Sequence, residues 1–400
     1  MPGEDAGESD SGRPTPTAAP AGEPGGRPRV GRIPSLRVSG THREVGRGVG
    51  AATAPAIRAA VAAIDGDLPP GRTRDQQLAL ASLHRAATHA ATPWLVEEID
   101  GAAEGAGVDP LALFAASVEE IWAQRPSQPG PPTEGGRCSD IVAGPPLTAD
   151  GHLLVAHTND LSPETEAGIV AVEWRVPGEP VVLSVGIGPW ISVGWNSSGL
   201  SLTGNELSPD DDRVGVPRLL MVREQLTAWS FDEAVAMTLR SDRASSYNTV
   251  LAWRDGRVAD VEGCATDADV HGLDARGSLA HTNHYVRPSM LIHEADPAYA
   301  RTSAIRYARA RALLDAAPPG SVDRATLRAW LADHATRPSI CRHGLPPDDR
   351  DAAHGTPLPE AAWRGKTVFW CIVDVTEGEV EYGLGNPCAA GPGERRRYLA

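Results

Sequence analysis

Apolar residues in the first third of the chain recur with a helical period. Ile57, Val61 and Ile64 fall at i, i+4 and i+7, and the run from Leu78 to Ala90 is built from strong helix formers. The best punctuated helix opens at Asp109, an N-cap residue followed by Pro110 at the first helical position. From there Leu111, Phe114, Val118, Ile121 and Trp122 predict one apolar stripe. A stretch rich in Pro and Gly, Arg125 to Gly136, closes this helical part.

Beyond Gly136 the period changes. The runs HLLVAH, GIVAVEWRV, PVVLSVGI and WISVGW have the β-branched content of strands, bounded by Gly, Pro, Asp and Asn turn signals. Their nearly continuous apolar character predicts sheets covered on both faces. Ser230 and Glu233 form the ends of a capping box and open a further helix. Asp255-Gly256 and Glu377-Gly378, each flanked by strand-like runs, predict two hairpins, with helices Thr302 to Ala316 and Val322 to His334 between them. This order predicts an α+β body in layers rather than repeating βαβ units.

Residues 1–29 hold almost no large apolar side chain, so they cannot offset their own ordering entropy and are expected to be a disordered tail ahead of one folded unit, 30–400. A hydrophobic content of 41% and a charged content of 22% suit a globular chain with a sizeable core. The formal charge of -15, from 52 acidic against 37 basic side chains, argues against nucleic acid and against an anionic membrane surface as partners. No run approaches the roughly 20 apolar residues of a membrane span, and no signal-like N-terminal block is present, so a cytoplasmic location is expected. Five cysteines, an odd number, fit reduced thiols better than a disulfide framework.

Cys138 stands where the glycine-rich loop meets the first strand run, unlike Cys371, which lies inside VFWCIV as a core thiol would. Downstream, three polar clusters interrupt strand-like sequence: HTND at His157 to Asp160, HTNHY at His281 to Tyr285, and ICRHG at Ile340 to Gly344. Singly they read as a strand-end turn, a satisfied histidine pair and a surface arginine. Together they supply a thiol, a carboxylate, an amide and a fixed cation, the set needed for acyl transfer through a thioester.

With these residues in place the chain resembles the penicillin acyltransferase-like branch of the N-terminal-nucleophile cysteine hydrolases, relatives of choloylglycine hydrolase and acid ceramidase. The resemblance runs from about Gly107 to Pro387. It rests on the helix leading to Cys138, DGHLLVAHTND, WNSSGLSLTGNEL from Trp195, AHTNHYV from Ala280, Ser-Ala-Ile-Arg from Ser303, SICRHG from Ser339, and GNPC from Gly385.

The resemblance implies a four-layer αββα sandwich, the N-terminal-nucleophile hydrolase fold. It also implies an inactive precursor cut between Arg137 and Cys138 into a helical segment, 30–137, and a nucleophile-bearing subunit, 138–400, that stay associated. Carried over by residue, Cys138 is the expected nucleophile, Asp160 the carboxylate holding its new α-amino group, Asn283 the oxyanion donor, and Arg342 the cation near the sulfur. Asn196 and Asn205 are further polar neighbours. The implied partner is a small acyl amide or acyl thioester, with no cofactor and no metal.

That set has a chemical logic. An α-amino group titrates at about 7.7 to 8.0 and a thiol at about 8.5, so one residue carrying both can be its own base near neutral pH. Chain cleavage creates the base. The sequence departs from the family pattern at Arg137, where Gly usually precedes the cysteine, at Ser139-Asp140, where two small uncharged residues are usual, and in HTND itself. Two other readings compete: a metallo-hydrolase using His157, Asp160, His281, His284 and His343, and an uncleaved protein that binds an acylated metabolite.

Overall fold

The computed structural model describes residues 31–122, 137–343, 365–389 and 392–399. The expected tail and the stretch Arg125 to Gly136 lie outside them. The chain opens with β1 (Ser35–Ser39), which the sequence patterning missed, and continues into α1 (His42–Ala52), α2 (Ala54–Ala63), α3 (Arg74–Ala91), α4 (Pro93–Ala106) and α5 (Pro110–Ala116). Asp109 caps α5 through the Ala112 N–H at 2.8 Å, as its position predicts. The expected single stripe to Trp122 is broken, however. The Ser117 hydroxyl turns back to the Leu113 carbonyl at 2.9 Å, the α-helix ends at Ala116, and a 3-10 turn, Glu119–Ile121, follows.

Helices α1 and α4 touch through backbone. A Cβ on Gly46 would lie 2.0 Å from the Glu98 carbonyl oxygen, and one on Gly101 would lie 2.2 Å from that of Arg43. Any side chain at either position would force the two helices apart.

The strand half comprises β2 (Arg137–Ala143), β3 (Leu154–Leu161), β4 (Ile169–Arg175), β5 (Val182–Ile187), β6 (Trp190–Asn196) and β7 (Leu200–Asn205). After α6 (Arg218–Gln225) and α7 (Phe231–Thr238) come β8 (Asn248–Trp253), β9 (Val258–Gly263), β10 (Ala268–His271) and β11 (Ser278–His281). Helices α8 (Pro297–Ala316) and α9 (Arg324–Leu331) precede β12 (Lys366–Asp374), β13 (Glu379–Leu384) and β14 (Glu394–Arg397). Both expected hairpins are present, β8 with β9 and β12 with β13.

One sheet has the order β1-β4-β5-β6-β7-β8-β9-β10 and the other β11-β2-β3-β12-β13-β14. Strand alternation assigns their faces. In β4, Ile169 and Ala171 join Val142, Val155 and Phe369 of the other sheet in a shared core. The alternate residues Val170, Val172 and Trp174 pack outward among Val45 and Val49 of α1, Val222 of α6 and Ala234 of α7. On the far side, Ile141 and Ala143 of β2 meet Ala310 and Leu314 of α8 and Leu327 and Leu331 of α9. The layers are therefore helix, sheet, sheet, helix, the αββα order that the resemblance implies. Among the described residues no helix is long and apolar enough to cross a membrane.

Candidate active site

The register of β2 against β3 fixes the neighbours of the cysteine. Arg137 pairs with Asp160, Cys138 with Asn159 and Asp140 with His157, so the residue expected to be cut from Cys138 continues the ladder. Period-two alternation puts Cys138 and Asp140 on the inter-sheet face with Val142. Asn159 Nδ2 lies 3.6 Å from the Cys138 sulfur. Asp140 does not face away: its Oδ1 is 2.9 Å from His157 Nδ1, and both side chains are fully buried.

The backbone of Cys138 is gripped from the α8 side. Its N–H donates to Asn283 Oδ1 at 2.8 Å, and its carbonyl oxygen accepts from Arg306 Nη1 at 2.6 Å. Arg306 also donates to Ser139 Oγ at 2.9 Å and to Asn283 Oδ1 at 2.7 Å. Two donors converge on one end of the Asn283 amide, so that end must be its oxygen. The amide nitrogen points the other way and donates to the Glu206 carbonyl at 3.1 Å. Asn283 was expected to donate to an oxyanion; here it holds the nitrogen of Cys138 through its acceptor end.

Helix α8 makes this possible. Ser303 and Arg306 lie one turn apart, and Ser303 Oγ takes the Asn283 N–H at 2.6 Å while Arg306 takes the side-chain oxygen. Arg306 has no exposed surface. It is the cation that touches Cys138, and sequence reasoning passed over it although the Ser-Ala-Ile-Arg pattern marks the same helix face.

Arg342 sits one layer further out. Its Nε is 3.9 Å from Asp160 Oδ2, and Thr367 Oγ1 donates to Asp160 Oδ1 at 2.7 Å. The Arg342 backbone is clamped in turn: its N–H donates to Thr367 Oγ1 at 3.0 Å and its carbonyl accepts from Asn386 Nδ2 at 2.6 Å. Of the four expected catalytic residues, Cys138 and Asn283 are in direct contact, whereas the side chain of Asp160, the ladder partner of Arg137, pairs with Arg342.

The charges around the sulfur oppose ionisation. Burial pushes the Cys138 thiol well up, the Asp160 and Asp140 carboxylates add to this, and Arg306 with the Asp160 backbone N–H only partly offsets them. Burial also raises Asp160, against the pull of Arg342, Arg306 and Thr367. His284 is pushed down to about 4 by burial and by the neighbouring His281 and Arg306 charges, so it is neutral near pH 7. Its Nδ1 lies 2.8 Å from the Ser303 hydroxyl and 3.4 Å from that of Thr282.

A cavity of about 250 Å³ reaches Cys138 and Asn159 from the end of the sandwich. Leu161, Ile187, Trp190, Ile191, Leu219 and Val222 make its lining mostly apolar, while Glu119, Glu206 and Tyr247 bring polar groups to it. Asn205 also lines it and is tied to His281 Nδ1 at 3.1 Å. Asn196 is not brought to the site; its oxygen accepts the N–H groups of Ser198, Gly199 and Leu200 and its nitrogen reaches the Leu226 and Ala228 carbonyls, so it organises a turn. Trp190 lines this cavity, whereas Trp174 and Trp195 are core residues.

The five residues of the metallo-hydrolase reading disperse. His157 pairs with Asp140, His281 with Asn205 and Glu262, and His284 with Ser303, while His343 lies among His334, Cys341 and Cys388.

Residues 147–345 match the model of the family described as acyl-coenzyme A:6-aminopenicillanic acid acyl-transferase. The match begins after Cys138 and includes Asp160, Asn283, Arg306 and Arg342. No curated protein sequence matches the chain. Among solved structures, a variant of conjugated bile acid hydrolase from Clostridium perfringens aligns at 12% identity with a TM-score of 0.40, covering 66% of this chain and 97% of its own. A mutant of conjugated bile acid hydrolase from the same organism aligns at 12% identity and 0.35, covering 66% and 98%.

Proposed function

Because the chain belongs to the acyl-coenzyme A:6-aminopenicillanic acid acyl-transferase family, we propose that it cuts itself between Arg137 and Cys138 and then transfers acyl groups through a thioester on Cys138. The observation that carries this reading is the placement of Cys138. Its sulfur opens on a mostly apolar cavity while both its backbone polar groups are held by buried side chains, Asn283 and Arg306. A core thiol needs neither.

In the uncut chain the thiol is neutral, so it is quiet. Cleavage follows when the thiol adds to the Arg137 carbonyl carbon, the C–N bond to Cys138 breaks, the thiol proton passes to the departing nitrogen, and water hydrolyses the resulting thioester. The product carries a free α-amino group on Cys138. That amine sits where the peptide N–H now meets Asn283 Oδ1, and as an ammonium it favours the thiolate beside it. Asp160, one ladder position away, tempers the new charge.

A substrate amide or thioester then places its acyl chain in the cavity. The sulfur adds to the acyl carbon, the α-amine takes the thiol proton and passes it to the leaving group, and water or an amine resolves the thioester. Asn159 Nδ2, already 3.6 Å from the sulfur, is placed to donate to the oxyanion, a contact worth about 2.7–4 kcal/mol in such sites. The acyl-metabolite binding reading shares the cavity but needs no cut.

Denaturing mass spectrometry of the purified chain, followed by reaction with a panel of N-acyl amides and acyl thioesters, tests the proposal. Two fragments meeting at Arg137 and Cys138, with a substrate-derived acyl adduct on Cys138, are expected. A chain that stays whole and acquires no adduct would leave only the binding reading.

A further inference from the structure

Away from the cavity, at the edge of the β12–β13 hairpin, His334, Cys341, His343 and Cys388 present four side-chain donor atoms that all lie within 4.8 Å of one another. His334 Nε2 is 3.0 Å from His343 Nε2, and the Cys341 and Cys388 sulfurs are 3.6 and 3.2 Å from that same nitrogen. From the usual zinc–sulfur and zinc–nitrogen bond lengths, the edges of a tetrahedron around zinc come to about 3.3–3.8 Å. The observed spacings, 3.0 to 3.6 Å, run from a few tenths of an ångström below that range into it, so small side-chain adjustments would seat an ion. We propose that these four residues bind one zinc ion as a closed Cys2His2 structural site.

The donors come from two separate parts of the chain, and Cys341 alone of the four is buried. Three follow α9 within twelve residues, in a loop closed by the Cys341 N–H on the Asp333 carbonyl at 3.1 Å. The fourth arrives after β13, where the Gly385 N–H bonds the Val368 carbonyl at 2.7 Å. His334, His343 and Cys388 are exposed although Cys and apolar surfaces are usually covered. Two thiolates and two neutral imidazoles suit zinc better than hard cations such as magnesium or calcium. On binding, each thiol releases a proton to solvent, so the complex is neutral overall and no redox partner is needed. Asn386 Nδ2, 3.5 Å from the Cys341 sulfur, supplies the hydrogen bond that coordinated thiolates commonly receive.

The site also explains two motifs that the chemistry at Cys138 leaves unused, SICRHG and GNPC. Cys341 and His343 flank Arg342, and Asn386, which holds the Arg342 carbonyl, lies two residues before Cys388. An ion here staples the Arg342 segment to the β12–β13 hairpin, fixing the guanidinium beside Asp160. It takes no part in the reaction.

The test is cobalt titration of the reduced, metal-stripped full chain. One equivalent of Co²⁺ should give thiolate-to-cobalt charge-transfer absorption with tetrahedral d–d bands, reversed by Zn²⁺. Cys388→Ser and His334→Ala, both at exposed positions, should each weaken binding at least tenfold while leaving the circular dichroism spectrum unchanged. Cys138→Ala should bind normally, so the outcome does not depend on the nucleophile assignment. Absence of the bands, a full-strength site in the Cys388→Ser/His334→Ala double variant, or a Cys341–Cys388 disulfide found in place of metal in the freshly purified chain would overturn the proposal.

Discussion

Arg306 Nη2 donates to Asn283 Oδ1 at 2.7 Å, and this contact decides which end of the Asn283 amide faces Cys138. An acceptor role and a donor role make opposite forecasts for two substitutions. Asn283→Asp keeps an oxygen for the Cys138 nitrogen and for Arg306, whereas Asn283→Ala keeps nothing. We expect Asn283→Ala to lower turnover by at least a hundredfold and Asn283→Asp to retain a measurable fraction, read as chain cleavage and acyl transfer. Equal loss in the two variants would restore the donor role.

Arg306 is fully buried and bonds three acceptors, Cys138 O, Ser139 Oγ and Asn283 Oδ1. Arg306→Met removes a donor from each and leaves Cys138 O and Ser139 Oγ without that partner, while Asn283 Oδ1 keeps the Cys138 N–H. A buried polar group left unsatisfied costs about 1–3 kcal/mol, so a loss of at least ~2 kcal/mol in urea unfolding is expected, together with loss of cleavage. Arg306→Lys keeps the charge without the planar fork and should fall between. If Arg306→Met unfolds at the wild-type urea midpoint, the network has been misjudged.

These two residues also show where sequence reading stops. The layered fold was legible because helix caps such as Asp109 and turn dipeptides such as Asp255-Gly256 act locally, and local rules survive tertiary packing. The pairing of β1 with β4 was not, since Ser35–Ser39 is short and its parallel partner lies more than a hundred residues away. Asp160 and Asn283 stood out in polar clusters that interrupt strand-like sequence, and Cys138 by standing where a glycine-rich loop meets the first strand run. Arg306 did not, because α8 is rich in arginine and nothing local separates the one that turns inward from Arg309 or Arg311, which bind surface carboxylates.

A pH effect on stability is expected far from the cysteine. His42 joins Glu98 and Glu179, each at 3.1 Å, and Arg223 bonds the same two carboxylates at 3.0 Å, tying α1, α4, α6 and the β4–β5 connection together. Burial opposes the charge on His42, but the two carboxylates outweigh it and raise its pKa to about 9. A raised folded-state pKa gives stability that is whole below the unfolded value of about 6.5 and fades as pH climbs to about 9. The melting temperature of the wild type should therefore drop between those limits by more than that of His42→Gln. Parallel pH profiles would remove His42 as the cause.

The reactivity of Cys138 gives the sharpest contrast between cut and uncut chain. In the uncut chain burial, then Asp160 and Asp140, raise the thiol. The folded state consequently keeps the proton to higher pH than the unfolded state, a contribution complete below the ordinary thiol range near 8.5 and lost as pH rises through the folded value. Iodoacetamide should thus label Cys138 slowly below that range while the chain is intact. Once cut, the adjacent ammonium favours the thiolate and labelling should move to lower pH. Asp140→Asn removes one of the charges that raise the thiol while keeping a hydrogen-bonding partner for His157, and should shift the intact-chain profile the same way. Peptide mass spectrometry of intact and cut chains separated after labelling reads both shifts; identical profiles before and after cleavage would mean that the new amino group does not act on the sulfur.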